Sequence, residues 1–278
     1  MLKQYLICYP EGKFKALTLS YDDGKIGDRR LVKLFNKYGI KATFHLNGQL
    51  MTSTKNVFDN ENEWWQERLS VDEAKELYKG HEIAAHTATH PTIARCPIEN
   101  VTVEVLEDRK ILEKIAEYPV RGMSYPNGSY SNEIKAMLPF VGIDYSRITG
   151  NSENFNLPTD WYEWKATCHH NYKLLEIADE FLALFKSQYL YLMYVWGHSF
   201  ELDRDDNWGH MEKFVQRMAF KDDIWYATNY EIYNYITAAK QLRFSACGDF
   251  VYNPTAADIW IKIDDKITKI SAGVQVKI

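Results

Sequence analysis

The chain has 278 residues, 46% hydrophobic and 26% charged, with 33 basic and 38 acidic side chains and a formal net charge of −5. That length allows one or two domains with a core that needs no disulfide staples. The weak negative balance argues against a nucleic-acid partner, which requires a basic face, and an aromatic content of 14% excludes disorder.

The opening residues carry an apolar stretch too short and interrupted for a signal peptide, with no small-residue cleavage site after it. Reading Met1 as a native start, the expected location is cytoplasmic. No apolar run of about 18 residues occurs, so no membrane span is expected. Cys8, Cys96, Cys168 and Cys247 are far apart and form no C-x-x-C pair, which predicts buried or half-buried thiols in a reducing compartment.

Short β-rich runs alternate with helical patterns. Residues 14–21 read as a strand that ends in Asp22-Asp23-Gly24, and Leu31, Leu34, Phe35 and Tyr38 mark a helix stopped by Gly39. A strand over 42–46 precedes a polar insertion at 48–69 that contains Trp64-Trp65. Ser70 to Glu73 is a capping box opening a helix that ends near Gly80. Residues 81–86 read as a strand, Pro97 starts a longer helix, 120–125 form a strand, and 133–138 a helix. Strands at 142–147 and 162–170, a helix at 174–185, and a long apolar strand at 189–196 ending in Gly197-His198 continue the rhythm. A helix at 211–220, a strand at 224–228 and a helix capped by Asn229 and running to about Leu242 complete it. Alternation of this kind means parallel βαβ units, and seven or so of them favour a barrel over an open sheet, although periodicity leaves closure open. From about Phe244 the pattern changes to short strands, at 258–263 and 274–278, so a catalytic barrel over 1–243 with a small β appendage over 244–278 is expected.

In parallel α/β architectures, chemistry sits where strands end. Here those ends carry Asp22-Asp23, His86-Thr87-Ala88-Thr89-His90, Tyr125-Pro126-Asn127 (with Arg121 near that strand's start) and His198. His86 and His90, four apart, can face one side of a turn, and a carboxylate from another strand end would complete a three-ligand site with room for water. Taken alone, each feature has a plainer reading: Asp-Asp-Gly is common turn chemistry, and paired histidines occur near many strand ends. His169-His170 and His45 also end strands and can point into the same cleft. His81 and His210 read as surface residues.

Taken together, these residues resemble the polysaccharide deacetylase family (carbohydrate esterase family 4, the NodB-homology domain) over about residues 14–240. Ser20-Tyr21-Asp22-Asp23-Gly24 is similar to the family's first motif, and His86-Thr-Ala-Thr-His90 matches its second, H-[ST]-x-x-H. Arg121-Gly-Met-Ser-Tyr125-Pro126 resembles the third with altered order, because Pro126 follows Tyr125. Asp160 to Trp164 resembles the fourth, and Leu192 to His198 the fifth. The insertion at 48–69 and the residues after 243 have no counterpart.

The resemblance implies a distorted (β/α)7-type barrel and a metal-dependent hydrolase that removes N- or O-acetyl groups from a carbohydrate. Asp23, His86 and His90 would hold a divalent metal, zinc most often, with cobalt, nickel or manganese as alternatives. Asp22 would be the general base, kept ionised by Arg121, and His198 the general acid. The Tyr125 backbone N–H would support the oxyanion, Asp160 would tune Arg121 or His198, and Trp164, Tyr21 and Asn127 would line the substrate pocket. The expected substrate is an acetylated oligosaccharide or small glycoconjugate, with Trp64, Trp65, Trp161, Trp164 and Trp208 able to reach the rim. Tyr189, Tyr191, Tyr194 and Trp225 are expected in the core and strand faces. The alternatives are a hydrolase of a non-sugar amide or cyclic ureide on the same scaffold, a non-catalytic carbohydrate-binding homologue and, last, an iron(II) oxygenase.

Overall fold

The computed structural model describes residues 4–52 and 61–278. In chain order the central strands are β2 (Lys15–Asp22), β3 (Thr43–Leu46), β4 (Glu82–Ala85), β5 (Gly122–Ser124), β6 (Tyr145–Ile148), β7 (Trp164–Lys165), β8 (Cys168–His169), β9 (Tyr191–His198) and β10 (Ile224–Tyr226), preceded by β1 (Tyr5–Cys8). The helices between them are α1 (Asp28–Lys37), α2 (Gly48–Thr52), α3 (Val71–Leu77), α4 (Ile98–Ala116), α5 (Asn132–Met137), α6 (Leu174–Leu182), α7 (Ser199–Arg204), α8 (Trp208–Met218) and α9 (Asn229–Ala239).

The sheet runs β7-β6-β5-β4-β3-β2-β9-β8, with β10 beside the first half of β2, and every pairing in it is parallel. Its two edge strands, β7 and β8, are separated in sequence only by Ala166 and Thr167. The Thr167 N–H donates to the Tyr194 carbonyl (2.8 Å), so the chain crosses from one edge to the other and the sheet curls on itself. The expected distorted (β/α)7-type barrel is the architecture found. The sequence run 162–170 is therefore not one strand but two, on opposite sides of the seam.

Strand alternation sorts the residues into two layers. Outward-facing Leu17, Leu19, Tyr21, Phe44, Met193 and Val195 pack against Phe35, Leu112, Phe181 and Phe214 of the surrounding helices. Inward-facing residues are largely polar and pair with one another. Thr18 donates to Asn229 Oδ1 (2.8 Å), Ser20 meets the Tyr194 hydroxyl (2.9 Å), and Glu82 accepts from Thr43 (2.8 Å) and Tyr145 (2.7 Å). Satisfying buried polar groups this way avoids the desolvation penalty of orphaned ones. Gly122 is needed for that packing, because a Cβ there would overlap the Tyr145 hydroxyl.

Three local expectations change. Thr228, not Asn229, caps α9, accepting from the Glu231 N–H while the Glu231 carboxylate accepts from Thr228 N–H (2.9 Å); Asn229 is buried inside the barrel. His81 is buried, not superficial: its Nδ1 accepts from the Ala42 N–H (3.1 Å) and its Nε2 faces Asn36 Oδ1 (3.0 Å). The β appendage is not purely C-terminal. The strands β11 (Arg243–Phe244), β12 (Phe250–Tyr252), β13 (Ile259–Ile263), β14 (Lys266–Ile270) and β15 (Gln275–Lys277) form two small antiparallel sheets, and β1 joins one of them through β13. The boundary at 243/244 thus leaves the N-terminal strand on the wrong side, since pairing between distant segments leaves no local signature. Part of the 48–69 insertion lies outside the described residues; Trp64 within it is exposed.

Candidate active site

β2 ends in Asp22, whose side chain points into the barrel, and the chain then turns at Asp23 with φ 82°. Thr87 and His90 also have positive φ, 63° and 60°. Non-glycine residues in the left-handed region are strained, and such strain concentrates at functional sites. Here all three belong to the two loops that bring Asp23, His86 and His90 together.

Asp22 is 2% exposed. Its carboxylate pairs with the Arg147 guanidinium from β6, approaches His45 Nδ1 at 3.0 Å, and accepts from the Ser124 hydroxyl at 3.3 Å. Burial alone would raise the Asp22 carboxyl, but Arg147, with His86 and His45, holds it well below the usual carboxylate range. The Arg147 guanidinium in turn lies over the Trp196 ring, 4.3 Å from its centroid, a cation–π contact within the barrel.

The ligand atoms of Asp23, His86 and His90 all lie within 4.8 Å of one another. His86 is oriented from behind: its Nδ1 meets the Ser124 carbonyl at 2.8 Å, leaving Nε2 as the nitrogen turned to the aspartates. Its backbone is held too, the N–H by Asp108 of α4 (2.9 Å) and the carbonyl by Asn47 (2.6 Å). His90 Nε2 stands 3.8 Å from Asp23 Oδ1, a buried oxygen that accepts no hydrogen bond. One unclaimed carboxylate oxygen beside two imidazoles, one with its second nitrogen committed to a carbonyl, is the donor set of a divalent metal of intermediate softness such as zinc, and these residues fit one. Arg68 donates to the Asp23 backbone carbonyl, and its guanidinium stands 3.9 Å from the same Oδ1, too far for a hydrogen bond.

His198 ends β9 in register with Asp22. Burial works against its charge, but the Glu201, Asp22 and Asp23 carboxylates raise it above the ordinary imidazole value. His169 and His170, from the end of β8, approach the same Glu201 carboxylate, at 3.0 and 3.2 Å. The sequence offers one signal for Glu201, its place three residues after His198.

Several expected site residues lie elsewhere. Arg121 pairs with Asp144 (2.6 and 2.9 Å), not Asp22, because it precedes β5 and so leaves the sheet at the opposite mouth. There it lines a cavity of about 650 Å³ with Glu82, Asp144, Tyr118 and Glu231, far in sequence and topology from the strand ends that carry Asp22 and His198. The rule that strand ends carry chemistry favours Arg147 over Arg121. The Tyr125 N–H donates to the Arg147 carbonyl (3.1 Å) within the sheet, so it is not free to serve an oxyanion. Asp160 caps the turn at Trp161–Glu163, accepting from the Tyr162 N–H (2.8 Å), and pairs with Lys135 (2.6 Å); it touches neither Arg121 nor His198. Trp164 is 1% exposed, edge-on to Tyr145 and Tyr194, and walls no open pocket. Tyr21 faces the helix layer, its hydroxyl beside His170 Nδ1 (3.3 Å) and its ring beside Phe35, because the residue next to an inward Asp22 must point outward. Asn127 is exposed, with φ 56°, on the rim next to Thr92. Trp208 is buried under Arg30, Tyr189 and Cys247 are exposed, and the described residues contain no helix long and apolar enough to cross a membrane.

The model of the polysaccharide deacetylase family matches residues 9–146. A Mycobacterium smegmatis protein assigned to the polysaccharide deacetylases aligns over 86% of this chain and 96% of its own, at 13% identity and a TM-score of 0.62. A carbohydrate esterase family 4 pseudoenzyme from Bacillus anthracis aligns over 82% of this chain and 68% of its own, at 14% identity and a TM-score of 0.50. The Streptococcus pyogenes deacetylase PplD, in complex with acetate, aligns over 48% of this chain at 19% identity and a TM-score of 0.42, and this chain spans only 55% of it.

Proposed function

This chain carries a polysaccharide deacetylase domain, and we propose that it hydrolyses an N- or O-acetyl group on a carbohydrate with the help of a divalent metal. The observation that carries this reading is the convergence of Asp23, His86 and His90 beside an ionised Asp22, with His198 opposite. A divalent ion held by those three residues would supply Lewis acidity, polarising a carbonyl and lowering the pKa of a water from 15.7 to about 7.

The remaining chemistry belongs to this chain's side chains. Asp22, kept ionised by Arg147, accepts a proton from the attacking water as it adds to the acetyl carbon. His198, whose imidazole the Glu201, Asp22 and Asp23 carboxylates raise above its ordinary value, gives a proton to the leaving nitrogen or oxygen as its bond to that carbon breaks. The products are acetate and a free amine or alcohol. His45 and Ser124 hold Asp22 so that its carboxylate does not rotate. Arg147, not Arg121, pairs with Asp22, and Glu201, not Asp160, lies beside His198. The Tyr125 N–H is engaged in the sheet and offers no donor to a developing oxyanion, whose charge a bound ion would offset.

A second reading, a non-catalytic homologue, is favoured by one fact: a structural neighbour is itself a pseudoenzyme. The presence of base, three potential ligands and acid argues for turnover. The test is metal analysis of the purified protein combined with acetate release from a panel of acetylated mono- and oligosaccharides. Metal retention with release from at least one sugar supports the proposal. Metal retention with no acetate release, but hydrolysis of a cyclic ureide, assigns the non-sugar reaction, and binding without any turnover assigns the pseudoenzyme.

A further inference from the structure

We propose that Arg68 and Asn47 are positioning residues that clamp the loop carrying Asp23 to the loop carrying His86 and His90, so that a divalent ion finds its donors already gathered; this rests on the metal-site reading above. Arg68 Nη1 donates to the Asp23 backbone carbonyl and to Asn47 Oδ1 (3.1 Å). Asn47 directs its amide hydrogens at the other loop, Nδ2 donating to the His86 carbonyl (2.6 Å) and to the Thr87 carbonyl (3.0 Å). One guanidinium nitrogen and one side-chain amide therefore join the chain that follows β2 to the chain that follows β4.

Local pairing puts both residues in place. The Ile26 N–H donates to the Glu67 carbonyl and the Leu69 N–H to the Gly24 carbonyl, each at 2.9 Å, so residues 67–69 run antiparallel beside the chain leaving Asp23 and bring Arg68 to it. Asn47 directly follows β3, the strand that lies between β2 and β4, and is 0% exposed. An amide buried there with two carbonyls at its nitrogen and a guanidinium at its oxygen is fully satisfied; Asp lacks the donors and Leu lacks both. The clamp holds the carbonyls of Asp23 and Thr87, the residues with φ of 82° and 63°. Such backbone persists only where its surroundings hold it. A second tie leaves the same corner: the Gly48 N–H donates to Asp108 Oδ1 (2.6 Å), and Asp108 Oδ2 accepts the His86 N–H (2.9 Å).

An arginine this close to Asp23 has another reading, a counter-charge for its carboxylate. The geometry is against it, because the guanidinium makes its hydrogen bonds to the carbonyl and the amide oxygen and stands 3.9 Å from Asp23 Oδ1. The two readings also predict opposite signs. As a bare charge, Arg68 would repel a divalent ion at Asp23, and removing it would tighten metal binding. As part of a clamp, its removal loosens the donor set and weakens metal binding.

The test measures zinc affinity by chelator competition, and backbone amide NMR spectra of the metal-free protein, for the wild type, Arg68→Ala, Arg68→Lys, Asn47→Ala and the Arg68→Ala/Asn47→Ala double variant. Arg68→Ala is expected to bind zinc about tenfold more weakly or worse. Arg68→Lys, which keeps a donor for the two oxygens, should retain most of the affinity. The double variant should lose little more than the weaker-binding single one, because both substitutions break the same link. In metal-free Arg68→Ala the amides of Thr87 and Ala88, whose peptides contain the carbonyls held by Asn47, should shift although residue 68 belongs to the other loop. Unchanged or tighter zinc binding in Arg68→Ala would overturn the proposal, as would additive losses in the double variant or unmoved Thr87 and Ala88 amides. If the wild type binds no zinc, the metal-site reading fails by itself, and the amide shifts still decide whether the clamp joins the loops.

Discussion

Arg147 of β6 reaches across the barrel to the carboxylate of Asp22 at the end of β2, and neither side chain is more than 3% exposed. A buried pair of this kind gives little net stability, but breaking it by removing one partner leaves an uncompensated charge.

Arg147→Ala should therefore cost about 3–5 kcal/mol of unfolding free energy, while Arg121→Ala, whose pair with Asp144 is partly exposed, should cost about 1 kcal/mol or less. Denaturant melts of the two variants at neutral pH compare them directly. In the wild type, Asp22 is depressed when folded, so its contribution is present above the unfolded value of about 3.9 and is lost as pH falls through the folded one. Equal losses in the two variants would contradict the assignment of Arg147 as the partner of Asp22.

Asp22→Asn should retain metal and lose turnover by about 10²–10⁴-fold, because it removes a proton acceptor and leaves Asp23, His86 and His90 intact. Asp23→Asn and His90→Ala should lose metal as well. Added divalent ion should raise the melting temperature of the wild type and of Asp22→Asn, but not of Asp23→Asn, since only a folded site binds it. Calorimetric scans with and without ion separate the two roles.

His81 supplies a pH signature remote from the site. Burial pushes its imidazole down to about 4, and its Nδ1 is committed as an acceptor of the Ala42 N–H. The unfolded chain binds the proton first, near 6.5, so the stability it protects is complete above that pH and drains away as pH falls toward 4. The full effect is about 3 kcal/mol at most. His86 and His170, also pushed down to about 4, act in the same direction. Unfolding free energies at pH 7, 6, 5 and 4 should show a shallower decline in His81→Gln than in the wild type, and an identical slope would count against it.

Gly122→Ala should destabilise by about 1–3 kcal/mol, since the new methyl meets the Tyr145 hydroxyl and disturbs its bond to Glu82. Adding Tyr145→Phe should recover part of that loss by removing the overlapping atom. If the double variant is no more stable than Gly122→Ala, the clash is not the cause.

The sequence by itself determined the βα rhythm, the strand-end positions of Asp22, Asp23, His86, His90 and His198, and the family, because each is written in local periodicity and short motifs. Residues four apart, or neighbours at one strand terminus, stay together whatever the rest of the fold does. Only the tertiary structure decided that Arg147 rather than Arg121 meets Asp22, a partner 125 positions away. The choice depends on which mouth of the barrel a side chain leaves by, and on how far the sheet curls. The same holds for the Tyr125 N–H, committed to a neighbouring strand, and for Tyr21 and Trp164, turned away from the cleft by strand alternation and by burial at the seam. Glu201 lies close to His198 in sequence, yet its approach to His169 and His170 emerged only when α7 folded back to place one carboxylate oxygen against imidazoles from two strand ends.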